Sequence, residues 1–334
     1  MHARCLMSAA LLLLASSPGA AAAATTTAPT IEEWLVPWEK TRPRDPSVAP
    51  DGRVWFVGQV GNYLAVFDPK DASMQRIELP DGTRPHTVLV DGEGFPWIAG
   101  NGNGTILRFD PKAGAFTRFE VPDTEGLKVK DPHTFAFDGR GGLWFTLQRG
   151  NGIGHLEIAS GSFRIAVPAT ANSLPYGIVS DAQGDAWAVA LGAPLLFSVA
   201  RESMQLREIP LPRADARMRR LGMGADGSVW YADFMQGWLG RYQPGDGSFK
   251  EWRTPSGKSG PYAMVTDDRG RAWVFETFPQ PNVLHGFDMK TETWLPAASV
   301  PSGGGVVRHM EYDAKRNSLW FGTDTNHLGR AQLP

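Results

Sequence analysis

The chain is almost without cysteine: of 334 residues only Cys5 is one. Disulfide frameworks, cysteine zinc sites and thiolate nucleophiles are therefore excluded beyond the first few residues. It also lacks a charge surplus. With 33 Lys and Arg against 35 Asp and Glu, nothing favours phosphate neutralisation, so nucleic acid and anionic membrane surfaces are not expected partners. Triad signatures, His-Glu-x-x-His and paired-cysteine patterns are missing. Glycine-rich stretches at 100–104 and 303–305 have no helix pattern after them, so they read as turns and not as phosphate cradles.

What the chain has is a period. Trp55, Trp97, Trp144, Trp187, Trp230, Trp273 and Trp320 recur every 42 to 47 residues, each just after an acidic turn. Self-similarity at this spacing marks propeller blades. Each unit runs from an alternating apolar strand through an Asp/Gly turn to a strand bearing the Trp, as in Pro132 to Thr146. A third strand follows and closes on Asp-Pro or a similar turn, as in Asp68-Pro69. The fourth ends before a proline, as in Glu78-Leu79-Pro80. Four strands per unit, 38 Gly and 26 Pro predict an all-β fold, a seven-bladed β-propeller with four-stranded blades, in one domain over 31–334. Only three strands fit after Val306, so residues 31–37 are expected to supply the fourth strand of the last blade, closing the ring and covering its edge. The recurring tryptophans read as packing residues between blades.

The first 24 residues read as an export signal: His2 and Arg4, an apolar run from Leu6 to Leu14, then Ala21 to Ala24. That run is short of the roughly 20 residues a membrane span takes. Residues 25–30 read as a flexible tail. The expected product is an exported monomer, periplasmic or secreted, free of the membrane after signal removal.

Strand direction places two loops of every blade on one face, called the top here: the entry to the first strand and the loop after the Trp strand. At the entry position, counted back from the turn Asp, stand Ser47, His86, His133, Tyr176, Arg220, Tyr262 and Arg308, with His309 beside the last. After the Trp strands come Gln59, Asn101, Gln148, Asp233, Glu276 and Asp324. Polar and aromatic variety at a fixed repeat position suits a ligand-facing ring around the central channel. Two readings of these residues stand open. In one, His86 or His133 is a general base titrating near working pH, with carboxylates holding a hard divalent cation. In the other, the histidines cap strands and the acids pair with Arg220 or Arg308.

The repeat also resembles a known family. Arg84-Pro85-His86, Asp131-Pro132-His133, Leu143-Trp144-Phe145-Thr146 with Asn151-Gly152-Ile153-Gly154, and Leu319-Trp320-Phe321 with Leu328-Gly329-Arg330 are similar to the units of virginiamycin B (streptogramin) lyases, seven-bladed propellers. The resemblance spans nearly all of the chain after residue 30. It implies elimination opening a cyclic depsipeptide ester without water: a histidine removes the proton α to a carbonyl, and magnesium held by glutamates stabilises the enolate-like charge. The family's pieces are Arg-Pro-His, Glu-Pro-His in the next blade, and a Glu shortly after the following Trp-Phe. Here His86 matches the first, His133 the second with Asp131 for Glu, and Gln148 stands at the third. The family carries this pair in its last two blades, this chain in blades two and three.

The resemblance thus implies His133 as base and His86 as substrate-orienting, with a peptide-like or small-molecule ligand also contacted by Tyr176, Arg220, Tyr262, Arg308 and Gln148. Asp131 would hold Mg2+ or Ca2+, with Glu276 and Asp324 as alternative ligands. The carboxylates of blades five to seven also suit a calcium-dependent lactone hydrolase. The aromatic rim of Tyr176, Trp238 and Tyr262 suits a non-catalytic binding or sensor propeller.

Overall fold

A computed structural model describes residues 27–334. The expected signal at 1–24 lies outside them, and so does the start of the tail. Thr30, the last tail residue, already pairs in a strand with Gln332. Every regular element among the described residues is a strand. They form seven antiparallel sheets set in a ring, a seven-bladed β-propeller. Blades one to six cover 43–78, 85–120, 132–166, 175–210, 218–253 and 261–299. Blade seven combines Met310–Asp313, Ser318–Gly322 and His327–Gln332 with the N-terminal strand Thr30–Leu35 as its outermost member. Ring closure by the N-terminal strand is therefore as the sequence predicts. Blade six departs from the pattern, its outer strand being split into Thr293–Trp294 and Ala298–Ser299. Pro296, between them, has no N–H to give to the ladder.

Five of the inner strands open on proline: Pro43, Pro85, Pro132, Pro175 and Pro261. The inner strand is the edge of its sheet, so a missing N–H leaves no ladder bond unmade. Arg42, Arg84 and Leu174, just before three of these prolines, have φ of 52°, 44° and 53°, a left-handed conformation that Gly260 adopts without a Cβ penalty in blade six.

All seven repeat tryptophans are buried, each removing on the order of 150–250 Å2 from water, or about 4–6 kcal/mol of gross burial at 25 cal/mol per Å2. The acidic turn has a definite task. Trp97, Trp187 and Trp273 donate their indole N–H to Asp91, Asp181 and Asp267, six residues earlier, at 2.8–2.9 Å. The same carboxylates cap the turn amides, as Asp267 does for Arg269 and Arg271. In blade five the aspartate stands two places later, and Trp230 donates to Ser228 instead.

At the seam, Trp34 of the N-terminal strand stacks on Trp320 (centroids 5.6 Å apart) and meets Phe67 of blade one at 4.9 Å. Because one ring joins blades seven and one, Trp34→Ala is expected to cost about 2–4 kcal/mol. Urea unfolding at constant m-value measures this, and a loss below about 1 kcal/mol would show that the seam does not rest on Trp34.

Candidate functional site

Strand register, and not distance from the turn Asp, decides which residues share a layer of the channel. Ala136 pairs with Trp144 and Ser47 with Trp55, so Ser47 lies three places deeper than His133, whose equivalent in blade one is Arg44. In blade five Leu221 pairs with Tyr231 as Phe135 pairs with Phe145, which makes Arg219 the equivalent and puts Arg220 one place deeper. The upper layer is Arg44, His86, His133, Tyr176, Arg219, Tyr262 and Arg308. Beneath it lie Asp45, Thr87, Thr134, Gly177, Arg220, Ala263 and His309.

The histidines do not stand at an open rim. His86 and His133 are 4% and 1% exposed, their rings in contact at a 31° tilt with centroids 3.5 Å apart, and the Tyr176 ring centroid lies 4.2 Å from that of His133. The Tyr176 and Tyr262 hydroxyls share a short hydrogen bond across the channel. These rings plug the channel near its top. A cavity of about 450 Å3 opens at the opposite mouth. It shares Thr134, Arg220 and His309 with the plug, and Glu311 lies in its mainly apolar wall.

Below the histidines runs a polar relay. Asp45, itself at φ 44°, takes Arg220 at 3.2 Å and Arg44 at 3.4 Å. Arg220 also donates to Thr134 Oγ1 at 3.0 Å, and this hydroxyl lies 2.9 Å from His133 Nδ1. His86 Nδ1 lies 2.9 Å from the carbonyl oxygen of His133. A carbonyl can only accept, so the neutral imidazole keeps its proton on Nδ1 and leaves the Nε2 lone pair free.

Burial, then Arg44, His133 and Arg220, hold the His86 imidazole well below the ordinary range. Burial, then Arg220 and Arg44, do the same for His133. Neither titrates near neutral pH, contrary to the expectation for a base of that kind. Burial also lowers His309, to about 4, and pushes the Tyr176 phenol up to about 12. Burial works to raise the Tyr262 phenol, but Arg44, Arg219, the Tyr176 hydrogen bond and Arg220 together outweigh it, so its pKa falls. Burial likewise works against the Asp45 carboxylate, but His309, Arg44 and Arg220 outweigh it and keep it ionised.

The ring is cationic. Arg44, Arg219, Arg220 and Arg308 face only two carboxylates, Asp45 and Asp324. Several buried donors make no hydrogen bond: Nη2 of Arg44, Nε of Arg219 and Nε of Arg308, while Nε of Arg44 has only its ion pair with Asp45 at 3.4 Å. Arg219 lies against Tyr176, Phe234 and Tyr262, 4.7–5.1 Å from their centroids.

The expected metal ligands do not meet. Asp131 accepts the backbone N–H groups of Arg149 and Gly150 at 2.9 Å and is a loop cap. Glu276 lies 3.2 Å from His285 and accepts Ser256 N–H. Asp324 pairs with Arg308. Asp233 accepts Arg213 and the Arg217 amide. Among the described residues no group of three or more His, Cys, Asp or Glu is placed to hold an ion. The residues present therefore do not fit a hard divalent cation, and the carboxylates behind the lactone-hydrolase reading are committed to ion pairs and caps. Gln148, after the Trp strand of blade three, is half-buried. Trp238 stacks with Arg213 and Arg253, 5.1 and 4.3 Å away, in blade five's own third strand.

The model of the virginiamycin B lyase family matches residues 112–280, about half of the chain. The chain belongs to the virginiamycin B lyase family. Among solved structures it is similar to a streptogramin B lyase, with a TM-score of 0.82 and 21% identity over 93% of this chain and 100% of that one. It is also similar to a catalytically inactive histidine-to-alanine variant of virginiamycin B lyase from Staphylococcus aureus with quinupristin, at 0.81 and 18% over 92% and 100%. The extracellular domain of a candidate hybrid two-component system from B. thetaiotaomicron reaches 0.68 and 18%, over 91% of this chain and 43% of that one. At such identities these likenesses establish the fold. No curated protein matches.

Eleven residues before each Trp, the sequence reads Arg44, His86, His133, Tyr176, Arg219 and Tyr262, with Arg308 at twelve in the last blade. Counting back from the Trp thus finds the whole upper layer, including Arg44 and Arg219.

These pKa directions set an acid dependence. The four lowered histidines, His86, His133, His155 and His309, hold protons less readily folded than unfolded, so unfolding takes up protons around pH 6.5 and below. Stability from this source is present above pH 6.5 and is lost on acidification. Glu311, pushed by burial up to about 7, acts oppositely, its contribution being lost as pH rises toward 7. Four histidines against one glutamate leave a net uptake of protons on unfolding near pH 5.5. The melting temperature should fall between pH 6.5 and 5, with no titration of the His86 and His133 rings by NMR. A melting temperature that rises on acidification would contradict these assignments.

Proposed function

We propose that the upper channel ring is the active site of an exported carbon–oxygen lyase acting on a carbonyl-bearing, peptide-like ligand such as a cyclic depsipeptide. The observation that carries this reading is a neutral His86 with its Nε2 lone pair free, within reach of the charge of Arg44, whose Nη2 is buried without a partner. Family membership and the Arg84-Pro85-His86 motif support it.

His86 is the proton acceptor. Its tautomer is set by the His133 carbonyl, and its low basicity keeps it unprotonated at neutral pH. His133 positions it by ring contact and through its carbonyl, and is itself oriented through Thr134, Arg220 and Asp45. These roles reverse those implied by the family motif alone. As the proton leaves the carbon α to a carbonyl, negative charge grows on that oxygen, and Arg44 meets it with donors fixed before the reaction. The bond from the β carbon to oxygen then breaks, a carboxylate departs, and no water is consumed. Guanidinium charge serves where the family resemblance implies a metal. Buried surroundings strengthen that charge relative to water.

Incubating the full chain, lacking residues 1–24, with a streptogramin B antibiotic tests this by mass spectrometry. The expected product is linear, of unchanged mass, and forms equally with a chelator present. His86→Ala should lower turnover by about 10²–10⁴-fold, and Arg44→Gln by about 10²–10³-fold. A product heavier by one water, abolition by chelator, or full activity in the His86→Ala protein would each refute the assignment.

A further inference from the structure

We infer that the lower half of the channel is a second ligand site, built for a small amphipathic cation: an ammonium group on an apolar body. It concerns the mouth opposite the proposed active site and does not rest on any chemistry at the upper ring. Strand register supplies the first observation. Directly opposite the repeat Trp, the inner strands of blades one to six carry Ser47, Leu89, Ala136, Val179, Gly222 and Val265. Blade seven carries Glu311 there, paired with Trp320. Small or apolar residues serve packing at this level in six blades, so packing does not explain a carboxylate in the seventh. Leu89, Ala136, Val179, Val265 and Glu311 all line the cavity of about 450 Å3 that opens at the lower mouth. A concave, mainly apolar space of this size with few polar groups is what a small-molecule site requires.

The second observation is a missing counter-charge. Glu311 Oε1 accepts the Val48 amide at 2.9 Å, and the Ser47 hydroxyl bonds to the same carboxyl. Among the described residues no cation is paired with it, and the one charge that bears on it, Asp313, has the same sign. The other polar groups at the cavity's closed end offer no free charge. Arg220 donates to the Arg308 carbonyl, the Thr134 hydroxyl and the Asp45 carboxylate, and burial keeps His309 neutral at pH 7. An anionic guest would meet Glu311 with the Arg220 charge already answered, whereas an ammonium would supply the partner that Glu311 lacks. Tyr312 also lines the cavity and donates its hydroxyl to Asp268 at 2.6 Å, so an anchored aromatic ring shares the wall with the carboxylate and suits a cation with an apolar body.

Calorimetric titration of the full chain without residues 1–24 tests this with 2-phenylethylamine and with 2-phenylethanol, which differ in the charged group alone. At pH 8, where most of the Glu311 carboxyl is ionised, the amine should bind at least about tenfold more tightly than the alcohol. Glu311→Gln keeps an acceptor for the Val48 amide and should erase that preference. Ala136→Leu takes space from the apolar wall and should weaken both ligands. Equal binding of amine and alcohol, no binding of either by folded protein, a preference that survives Glu311→Gln, or undiminished affinity in the Ala136→Leu protein would overturn the inference. A protein that prefers the amine but leaves the depsipeptide unchanged would retain this inference and lose only the elimination chemistry.

Discussion

Closure of the ring is the constraint on which the site depends. The N-terminal strand pairs along its length with His327–Gln332, and Asn326 fastens the seam by donating to the carbonyls of Val36 and Trp38 and accepting the Thr41 amide. Glu33 adds bonds to Ser302 in the loop before blade seven. Without the seam, blade seven would end in an open edge, and Arg308 and His309 would have no fixed relation to Arg44 and Asp45. The densest group of charged residues in the channel spans that junction, so local ring closure and local electrostatics are one problem.

Blade packing and channel chemistry are separated by layer. The Trp strand and its partners bury apolar surface between blades with near sevenfold regularity, while the residue eleven or twelve places before each Trp is free to vary. Four arginines of the two upper layers and two carboxylates make the plug cationic, and His86 and His133 respond by staying neutral. Unmatched guanidinium donors lower the stability of the empty protein. They also preorganise positive charge where water is scarce, which is the condition for strong electrostatic stabilisation of a developing anion.

The architecture was legible because seven tryptophans repeat with little variation, and the short last unit announced how the ring closes. Five of the seven upper-layer positions were legible as well. Arg44 and Arg219 were missed because Asp51 and Asp226 stand four residues before their tryptophans, not six, so a count from the aspartate slips along the inner strand. The acids misled for another reason. Residue type does not reveal whether a carboxylate faces a ligand or caps nearby amides, as Asp131 does for Arg149 and Gly150. Phe234 and Phe278 lie in loops outside the repeat pattern, where no periodicity singles them out.

The central claim is that the upper mouth holds unsatisfied positive charge aimed at an anionic group. Anomalous diffraction from crystals soaked in bromide tests it most directly, since bromide reports anion sites without requiring turnover or the true substrate. The account predicts a strong peak within hydrogen-bond reach of Arg44 and Arg308 that is absent in Arg308→Gln crystals. Bromide found only on peripheral arginines would contradict it.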